Sequence, residues 1–260
     1  MAHTLALTLS DVRAATEEEN ALFSTVAAGT PMGEMLRRYW WAAGISADLQ
    51  DKPTLIRVLG EDLVLFRDGA GHVGVLAAHC SHRRVNLCFG TIEEPGLRCR
   101  MHGWVYDING TVLETPGEPA ESTVKERVHH LAYQAQELGG VIFIYMGPPP
   151  APLLPRFHFL VAEGWRKIAF QGFTNCNWIQ AVENGMDPIH PAFLHKNQWP
   201  WRAPIPDQME FIETDWAVIT RSHWPGAQIN FTRSMRGAPN ACEPNAVASI
   251  NASGSQRCTR

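Results

Sequence analysis

The sequence predicts an α+β protein with helices at its N-terminus, a small all-β domain, and a second domain that mixes helix and sheet. Helix-start signals fall within residues 16–45, and hairpin signals fill residues 46–147. A proline-rich stretch at 148–155 then separates these from residues 156–260. With 260 residues, 45% of them hydrophobic, the chain is long enough for two ordinary domains.

Helix-start signals open the chain. Thr16 followed by Glu19 is a capping box, and the segment it begins is expected to end at Gly29. Thr30-Pro31 places a capping hydroxyl before a proline at the first helical position, which predicts a second helix as far as Tyr39. We therefore predict a helical segment over residues 1–45.

Short β-branched and apolar runs, separated by turn residues, follow from residue 46. The breaks at Gly60–Asp62 and Asp68–Gly71 indicate hairpins. Asn109-Gly110, between two apolar runs, is the strongest two-residue hairpin signal. Val141–Tyr145 is expected to be a buried strand. Residues 46–147 are thus predicted to form a small all-β domain.

The remaining segments are predicted from composition. Prolines crowd residues 148–155, where neither helix nor sheet can continue, so a stiff linker is expected there. A second domain should cover residues 156–260. Its last part, Met235–Arg260, is rich in Asn, Ala, Ser and Gly without periodicity, and we expect an irregular tail.

Charge and cysteine usage limit the partners. The net charge of −4 and the pI near 6.3 lack the basic excess that binds nucleic acid or anionic membranes. The first residues lack a basic stretch ahead of an apolar run, and no apolar run is long enough to span a bilayer. Irregularly spaced cysteines favour reduced thiols. A cytoplasmic protein that acts on small molecules is expected.

Two paired motifs, Cys80/His82 and Cys99/His102, carry the first chemical signal. Each pair is tethered locally, sixteen residues lie between the pairs, and hairpin strands can bring them together. Four unrelated core residues would not share this paired spacing. Two thiolates and two imidazoles suit either a tetrahedral zinc ion or an iron–sulfur cluster with the thiolates on one iron and the imidazoles on the other.

A second motif lies about eighty residues further along the chain. Glu183, Asp187 and His190 fall at positions i, i+4 and i+7, on one face of a helix that Pro191 should break, so that His195 turns back to the same side. Two imidazoles plus one carboxylate suit a mononuclear Fe(II) with open positions for dioxygen. The simpler interpretation is a solvated polar helix face.

Both motifs, in this order and with Gly103-Trp104 after the first, resemble the α subunit of Rieske non-haem iron aromatic-ring-hydroxylating oxygenases. Gly29–Trp40 is most similar to the phthalate-dioxygenase branch, and the similarity extends to about Trp224. The resemblance implies a Rieske domain followed by a helix-grip-like catalytic domain. It also implies a partner reductase with flavin and its own iron–sulfur cluster, an aromatic substrate with O2, and a homotrimer or hexamer.

The same resemblance assigns roles to residues. It implies a Rieske [2Fe-2S] cluster on Cys80, His82, Cys99 and His102, and a mononuclear Fe(II) on His190 and His195. Asp187 would link an iron-bound imidazole to a Rieske imidazole of the neighbouring subunit, which fixes a tautomer and couples the sites. Asn177 and Glu183 complete the expected catalytic site, where they would line the site or the subunit interface.

The sequence departs from the family pattern at three points. The family's third iron ligand is an aspartate on a distant helix, and no carboxylate after His195 has a comparable setting; the five are Asp207, Glu210, Glu213, Asp215 and Glu243. Most of the catalytic sheet is also missing, which predicts a fragment, a frame-disrupted product, or a pocket completed by a partner chain. Met101 stands where Cys88 would need a disulfide partner, so Cys88 is expected to be a free thiol.

Three functions are compatible with these motifs. The first is the terminal oxygenase component of a two-component system, which hydroxylates or O-demethylates an aromatic substrate. The second is a Rieske-type electron-transfer module with an inactive catalytic domain. The third is a zinc-binding interaction module. Two motifs in the expected order favour the first.

Overall fold

The structure is a computed structural model that describes residues 14–165, 167–168, 176–196 and 205–212 with their side chains, together with 219–223. It describes only the backbone of 3–4, 213, 217–218, 229–236, 248–251 and 256–258. The chain divides into two compact units. The first is Thr25–Phe173, and the second combines Met1–Ser24 with Thr174–Arg260.

Two antiparallel sheets form the first unit. One has the strand order β2-β11-β10-β5-β4-β3, and the other runs β6-β7-β8-β9. The strands of the larger sheet are β2 (Trp40–Ile45), β3 (Thr54–Val58), β4 (Glu61–Arg67), β5 (Val73–Ala77), β10 (Ala132–Leu138) and β11 (Val141–Tyr145). Those of the smaller sheet are β6 (Thr91–Glu93), β7 (Gly96–Arg98), β8 (Val105–Tyr106) and β9 (Val112–Glu114).

A buried apolar core joins the two sheets. Phe66 and Leu76 from the larger sheet pack with Leu97 and Tyr106 from the smaller one, and all four are fully buried. The same cluster contains both cysteines of the first motif, Cys80 at 1% exposed and Cys99 at 3%. Each loop of that motif is therefore fixed to the core by a buried cysteine side chain.

The predicted hairpins are present. Around Asn109-Gly110, β8 pairs with β9, Gly110 has a φ of +87°, and the Asp107 carboxylate accepts the N–H groups of Asn109 and Thr111. The hairpin lies where the sequence predicts, but its connection is longer than the expected two residues. Tyr106 pairs with Val112, the Gly110 N–H donates to the Asp107 carbonyl at 3.1 Å, and Gly110 adopts the positive φ that a glycine tolerates. The predicted strand Val141–Tyr145 is also confirmed, and it is buried along its whole length.

The N-terminal helices begin where the sequence predicts. Thr16 and Glu19 exchange capping-box bonds of 2.9 and 3.2 Å at the start of α1 (Glu17–Ser24), which belongs to the second unit. In the first unit, the Thr30 hydroxyl accepts the Gly33 N–H at the start of α2 (Pro31–Leu36).

The helical segment ends earlier than residue 45, because Trp40–Ile45 is strand β2 rather than helix. The indole of Trp40 is 2% exposed and donates to the Pro152 carbonyl at 2.8 Å. Aromatic residues pack well on a half-buried sheet surface, and β11 offers Trp40 such a surface. This pairing partner lies a hundred residues away, so helix-end signals alone could not identify it.

Short helices and the proline-rich segment complete the first unit. The helices are α3 (Val124–Arg127) and α4 (His158–Val161), with a 3₁₀ turn at Leu87–Phe89. The segment at 148–155 forms neither helix nor strand. Its Ala151 and Leu154 pack against the cluster that contains Trp40 and Tyr145. The proline-rich segment is therefore held against β2 and β11.

The second unit is also a mixture of helix and antiparallel sheet. Its helices are α1, α5 (Trp178–Met186) and α6 (His190–Leu194). Its sheet has the order β1-β12-β13-β14-β15-β16, with the strands β1 (His3–Thr4), β12 (Gln208–Glu213), β13 (Ala217–His223), β14 (Ile229–Arg236), β15 (Ala248–Asn251) and β16 (Gln256–Cys258). The expected irregular tail is thus replaced in β15 and β16 by strand pairing, which uses main-chain groups and depends little on composition.

None of the helices in the described part of the chain combines the length and the apolar character that a bilayer crossing needs.

A buried ion pair in the first unit yields a stability prediction. The Arg37 guanidinium, 5% exposed, bonds to Glu61, which also accepts the Tyr133 hydroxyl at 2.6 Å. Glu61→Ala leaves this buried cation without its carboxylate, and we expect a loss of about 3 kcal/mol in the free energy of unfolding. Urea denaturation measures the loss.

The next residue supplies the matched control. Asp62 pairs with Arg57 at 2.8 Å, and both side chains are exposed. Asp62→Ala should therefore cost less than about 1 kcal/mol. Equal losses for the two substitutions would contradict the assignment of Arg37–Glu61 as a buried pair on which the fold relies.

Candidate metal centres

Two short loops carry the first motif. Cys80 and His82 follow the end of β5, and the loop closes through Cys80 N–H to the Val85 carbonyl at 2.9 Å. Cys99 and His102 lie between β7 and β8, where the Cys99 N–H donates to the Trp104 carbonyl at 2.7 Å. Each loop is closed on itself, so each Cys–His pair is held locally.

The four side chains group as two pairs rather than around one point. The thiols of Cys80 and Cys99 lie close enough for Cys80 to contribute to the raised pKa of Cys99. The rings of His82 and His102 meet edge to face with centroids 4.6 Å apart. In the part of the chain that the structure describes, no three His, Cys, Asp or Glu side chains converge closely enough to hold one metal ion. Such pairing suits a binuclear cluster better than a tetrahedral zinc ion, which needs all four ligands around one point.

The thiol pair has a buried environment with directed donors. Burial raises the pKa of Cys99, while the backbone N–H groups of Met101 and His102 oppose this rise by hydrogen bonding to the sulfur. The Tyr106 hydroxyl lies 3.0 Å from Cys80 Sγ, and burial raises the pKa of Tyr106, which keeps the phenol protonated. These donors stabilise negative charge on both sulfurs, as a pair of thiolates bound to iron requires.

The imidazoles of His82 and His102 are more exposed to solvent than the two thiols. Trp104 is buried, and its ring stacks flat on His82 with centroids 4.8 Å apart and an interplanar angle of 2°. His102 is exposed, as is its neighbour Met101. The buried thiols and the accessible imidazoles therefore give the centre a closed and an open side.

Arg98 organises the second loop, although sequence reasoning did not single it out. Its guanidinium bonds to Glu93 and Glu114, and it donates to the Gly103 carbonyl at 2.7 Å. Sequence reasoning also missed Tyr106, whose signal is the strand alternation that places Trp104 and Tyr106 on one face. Cys88 is a free thiol, as expected.

The second motif does not lie on one continuous helix. α5 ends at Met186, Asp187 is extended with φ −76° and ψ 118°, and α6 starts at His190. A residue before proline avoids the α region, so Pro188 ends the helix at Asp187. Pro191, which we expected to break the helix, occupies the first turn of α6, where a proline is tolerated.

The break still brings together the two histidines. The rings of His190 and His195 meet edge to face with centroids 5.5 Å apart. Asp187 Oδ2 lies 3.4 Å from His190 Nδ1, which is buried and makes no aligned hydrogen bond. Asp187 also accepts the backbone N–H groups of Ile189 and His190. One carboxylate thus bonds to the first N–H groups of α6 and approaches an imidazole beside a second imidazole. These are residue types that bind Fe(II), with the carboxylate placed to orient an imidazole rather than to complete a three-ligand site.

The other predicted residues have local roles. Asn177 caps α5 by accepting the Ile179 N–H, and its amide donates to the Ser24 carbonyl at 2.8 Å. Glu183 accepts from the Gln180 amide and borders an open apolar depression of the surface. Met186, Ile189 and Phe211 also line this depression, beside the end of α5.

The described carboxylates that follow His195 have other partners. Asp207 bonds to His223 at 2.8 Å, and Glu210 bonds to Arg221 at 2.8 Å. The Glu213 side chain, Asp215 and Glu243 lie outside the described residues.

Comparisons with known proteins agree with this geometry. Residues 39–133 match the family described as the Rieske [2Fe-2S] domain. The tert-butanol monooxygenase / tert-amyl alcohol desaturase oxygenase subunit of Aquincola tertiaricarbonis is 47% identical over 65% of this chain and 36% of the relative. The phthalate 4,5-dioxygenase oxygenase subunit of Pseudomonas putida is 39% identical over 71% of this chain and 43% of the relative.

The structural comparison shows the fold. The crystal structure of dicamba monooxygenase bound to dicamba superposes with a TM-score of 0.61 at 20% identity, over 82% of this chain and 71% of that one. The first unit thus contains a Rieske domain, and the α+β fold class is confirmed. Residues 39–133 therefore belong to the Rieske [2Fe-2S] domain family, and the chain is similar in sequence to oxygenase subunits of Rieske-type systems. It spans about two fifths of the length of the two curated relatives.

The Tyr106–Cys80 contact predicts a shift in redox potential. A hydrogen bond to a cluster sulfur favours the reduced form, because reduction adds negative charge. Losing a bond worth about 1.4 kcal/mol should lower the midpoint potential in Tyr106→Phe by about 59 mV, as measured by redox titration of the cluster.

Tyr133→Phe is the matched control. It removes a half-buried phenol that bonds to Glu61 at 2.6 Å, away from the two loops. This variant should lose stability but keep the potential of the parent protein. A similar shift in both variants would contradict the role of Tyr106.

Proposed function

We propose that the chain acts as the terminal oxygenase component of a two-component system that hydroxylates or O-demethylates an aromatic substrate. The observation that carries this proposal is the two-plus-two grouping of Cys80 with Cys99 and of His82 with His102. A second pair, His190 and His195, adds a site of different chemistry in the second unit. An electron carrier alone would not need that second site.

The proposed ligands follow from these pairs. Cys80 and Cys99 would bind one iron of a [2Fe-2S] cluster, His82 and His102 the other, and His190 with His195 a mononuclear Fe(II). When bound, the cluster supplies single electrons and the ferrous ion supplies dioxygen activation. We propose no third protein ligand for the mononuclear Fe(II).

The chain's own side chains orient these groups. Trp104 holds the His82 ring by flat stacking, and Arg98 fixes the loop of Cys99 and His102. Asp187 would hold the His190 tautomer by accepting its Nδ1 proton, which leaves Nε2 for the metal. In this proposal Asn177 positions the start of α5, and Glu183 borders the substrate site.

Two surface features support the proposed substrate and the proposed electron donor. The open depression beside Met186, Ile189 and Phe211 is apolar apart from Glu183 and Asp187, which suits contact with one face of an aromatic ring. The exposed imidazole side, with His102 and Met101, would accept electrons from a reductase that carries flavin and an iron–sulfur cluster. By the family resemblance, copies of the chain would assemble as a trimer or hexamer, and electrons would pass to a neighbouring copy near Asp187.

Cluster content tests the first centre. After anaerobic reconstitution of the full chain with iron and sulfide, we expect a Rieske electron-paramagnetic-resonance signal on reduction. Cys80→Ser and Cys99→Ser should lose sulfide and signal, because each removes a thiolate ligand. Cys88→Ser is the matched control, since Cys88 is a free thiol packed against the same core, and it should keep both. A full signal in Cys80→Ser would refute the proposed ligands.

Iron stoichiometry tests the second centre. The proposal expects three irons per chain, and His190→Ala or His195→Ala should reduce this to two while the Rieske signal persists. His223→Ala is the control, because His223 is paired with Asp207 on the sheet of the same unit. Iron content should remain at three in this variant.

The same measurement decides an alternative. In the described residues no carboxylate completes a three-ligand site with His190 and His195, which favours an electron-transfer module with an inactive catalytic domain. Two irons per parent chain, unchanged by His190→Ala, would establish that alternative instead.

A further inference from the structure

His130 is a buried histidine that neither proposed metal site uses. It is 1% exposed and stands just before β10. Its backbone N–H donates to the Gly110 carbonyl at 2.8 Å. A Cβ at Gly110 would lie 2.0 Å from the His130 carbonyl oxygen, so only a glycine permits this approach. The hairpin that follows the second loop therefore fixes the position of His130.

Both ring nitrogens of His130 make hydrogen bonds. Nε2 lies 2.9 Å from the Ala77 carbonyl, and Nδ1 lies 2.7 Å from the Ser81 hydroxyl. A carbonyl can only accept, so Nε2 carries the proton, and Nδ1 accepts from Ser81. Burial lowers the pKa of His130, which keeps the ring neutral in this single tautomer. The imidazole therefore bridges the end of β5 to Ser81.

Ser81 connects this bridge to the thiol pair. It lies between Cys80 and His82, which the proposed function assigns to different irons. The Ser81 backbone N–H lies near the Tyr106 hydroxyl. That hydroxyl lies 3.0 Å from Cys80 Sγ. The His130 ring also packs against the Tyr106 ring, with centroids 4.5 Å apart. A continuous chain of contacts thus runs from His130 through Ser81 and Tyr106 to the Cys80 sulfur.

We propose that His130 is a positioning residue of the Rieske centre, which anchors Ser81 and packs against the Tyr106 ring so that the Tyr106 hydroxyl stays aligned on Cys80 Sγ. The inference rests on the proposed function only in that Cys80 carries the cluster. Hydrogen bonds in such a chain strengthen one another, because each donor is polarised by the next. Loss of the Ser81 anchor weakens the donor at the sulfur and disfavours the reduced, more negative cluster.

Three substitutions separate this role from simple packing. His130→Phe keeps a ring against Tyr106 but loses both hydrogen bonds. Ser81→Ala keeps the His130 ring and removes only the hydroxyl. His130→Asn places an amide oxygen near the position of Nδ1, where it can accept from Ser81 again. The exposed neighbour His129 supplies the control, His129→Gln.

The experiment is a redox titration of the reconstituted full chain, followed by the Rieske signal, with thermal unfolding measured in parallel. We expect the ratio of reduced to oxidised cluster at a fixed potential to fall about tenfold in His130→Phe and in Ser81→Ala, which is about 59 mV for one electron. The double variant should fall no further than either single variant, because both remove one interaction. His130→Asn and His129→Gln should keep the parent ratio.

The outcomes are distinguishable. An unchanged ratio in Ser81→Ala, or additive shifts in the double variant, would overturn the inference and leave His130 a packing residue that affects thermal unfolding alone. If His130→Phe does not fold, the ratio measured in Ser81→Ala still tests the inference, because this variant leaves the buried His130 ring in place. Absence of a Rieske signal in the parent protein would instead refute the cluster, and with it both proposals.

Discussion

The burial of two thiols in a core shared by two sheets is the constraint on which the first unit depends. Cys80 and Cys99 are buried among Leu76, Leu97 and Tyr106, where a lone thiolate would be costly. Negative charge is acceptable there only if a cation binds the sulfurs and donors point at them. Tyr106 and the backbone N–H groups of the second loop supply the donors, and iron would supply the cation.

In the second unit a helix break, rather than a pair of closed loops, positions the proposed ligands. Pro188 ends α5, and α6 begins at His190, three residues after Asp187. His190 and His195 then lie at the two ends of the short helix α6, and Asp187 both bonds to the first N–H groups of that helix and approaches His190. In the proposed site, the orientation of His190 and the start of α6 therefore depend on the same carboxylate, so the position of Asp187 is constrained twice.

Local sequence signals made several helix starts, turns and candidate ligands predictable. The capping box at Thr16, the turn at Asn109-Gly110 and the paired Cys–His spacing each depend on residues within a few positions of one another. What could not be predicted depends on distant partners: β2 is a strand because β11 pairs with it, and the Ser81 hydroxyl meets His130 from forty-nine residues away. The helix break at Pro188 was predictable from a local rule, whereas Pro191, which was expected to break the helix, occupies a position that suits the first turn of one.

The asymmetry of the first centre bears on the path of electrons. Its thiol side is sealed by the core, whereas its imidazole side ends in His102, which is exposed beside Met101. A partner's redox group can approach closely only from the imidazole side, so electrons would enter and leave there. The hydrogen bonds that tune the potential lie on the sealed side, at Cys80 and Cys99. Because Cys80 and Cys99 are buried, a docking partner can contact the imidazoles without touching the sulfurs or the Tyr106 hydroxyl that donates to one of them.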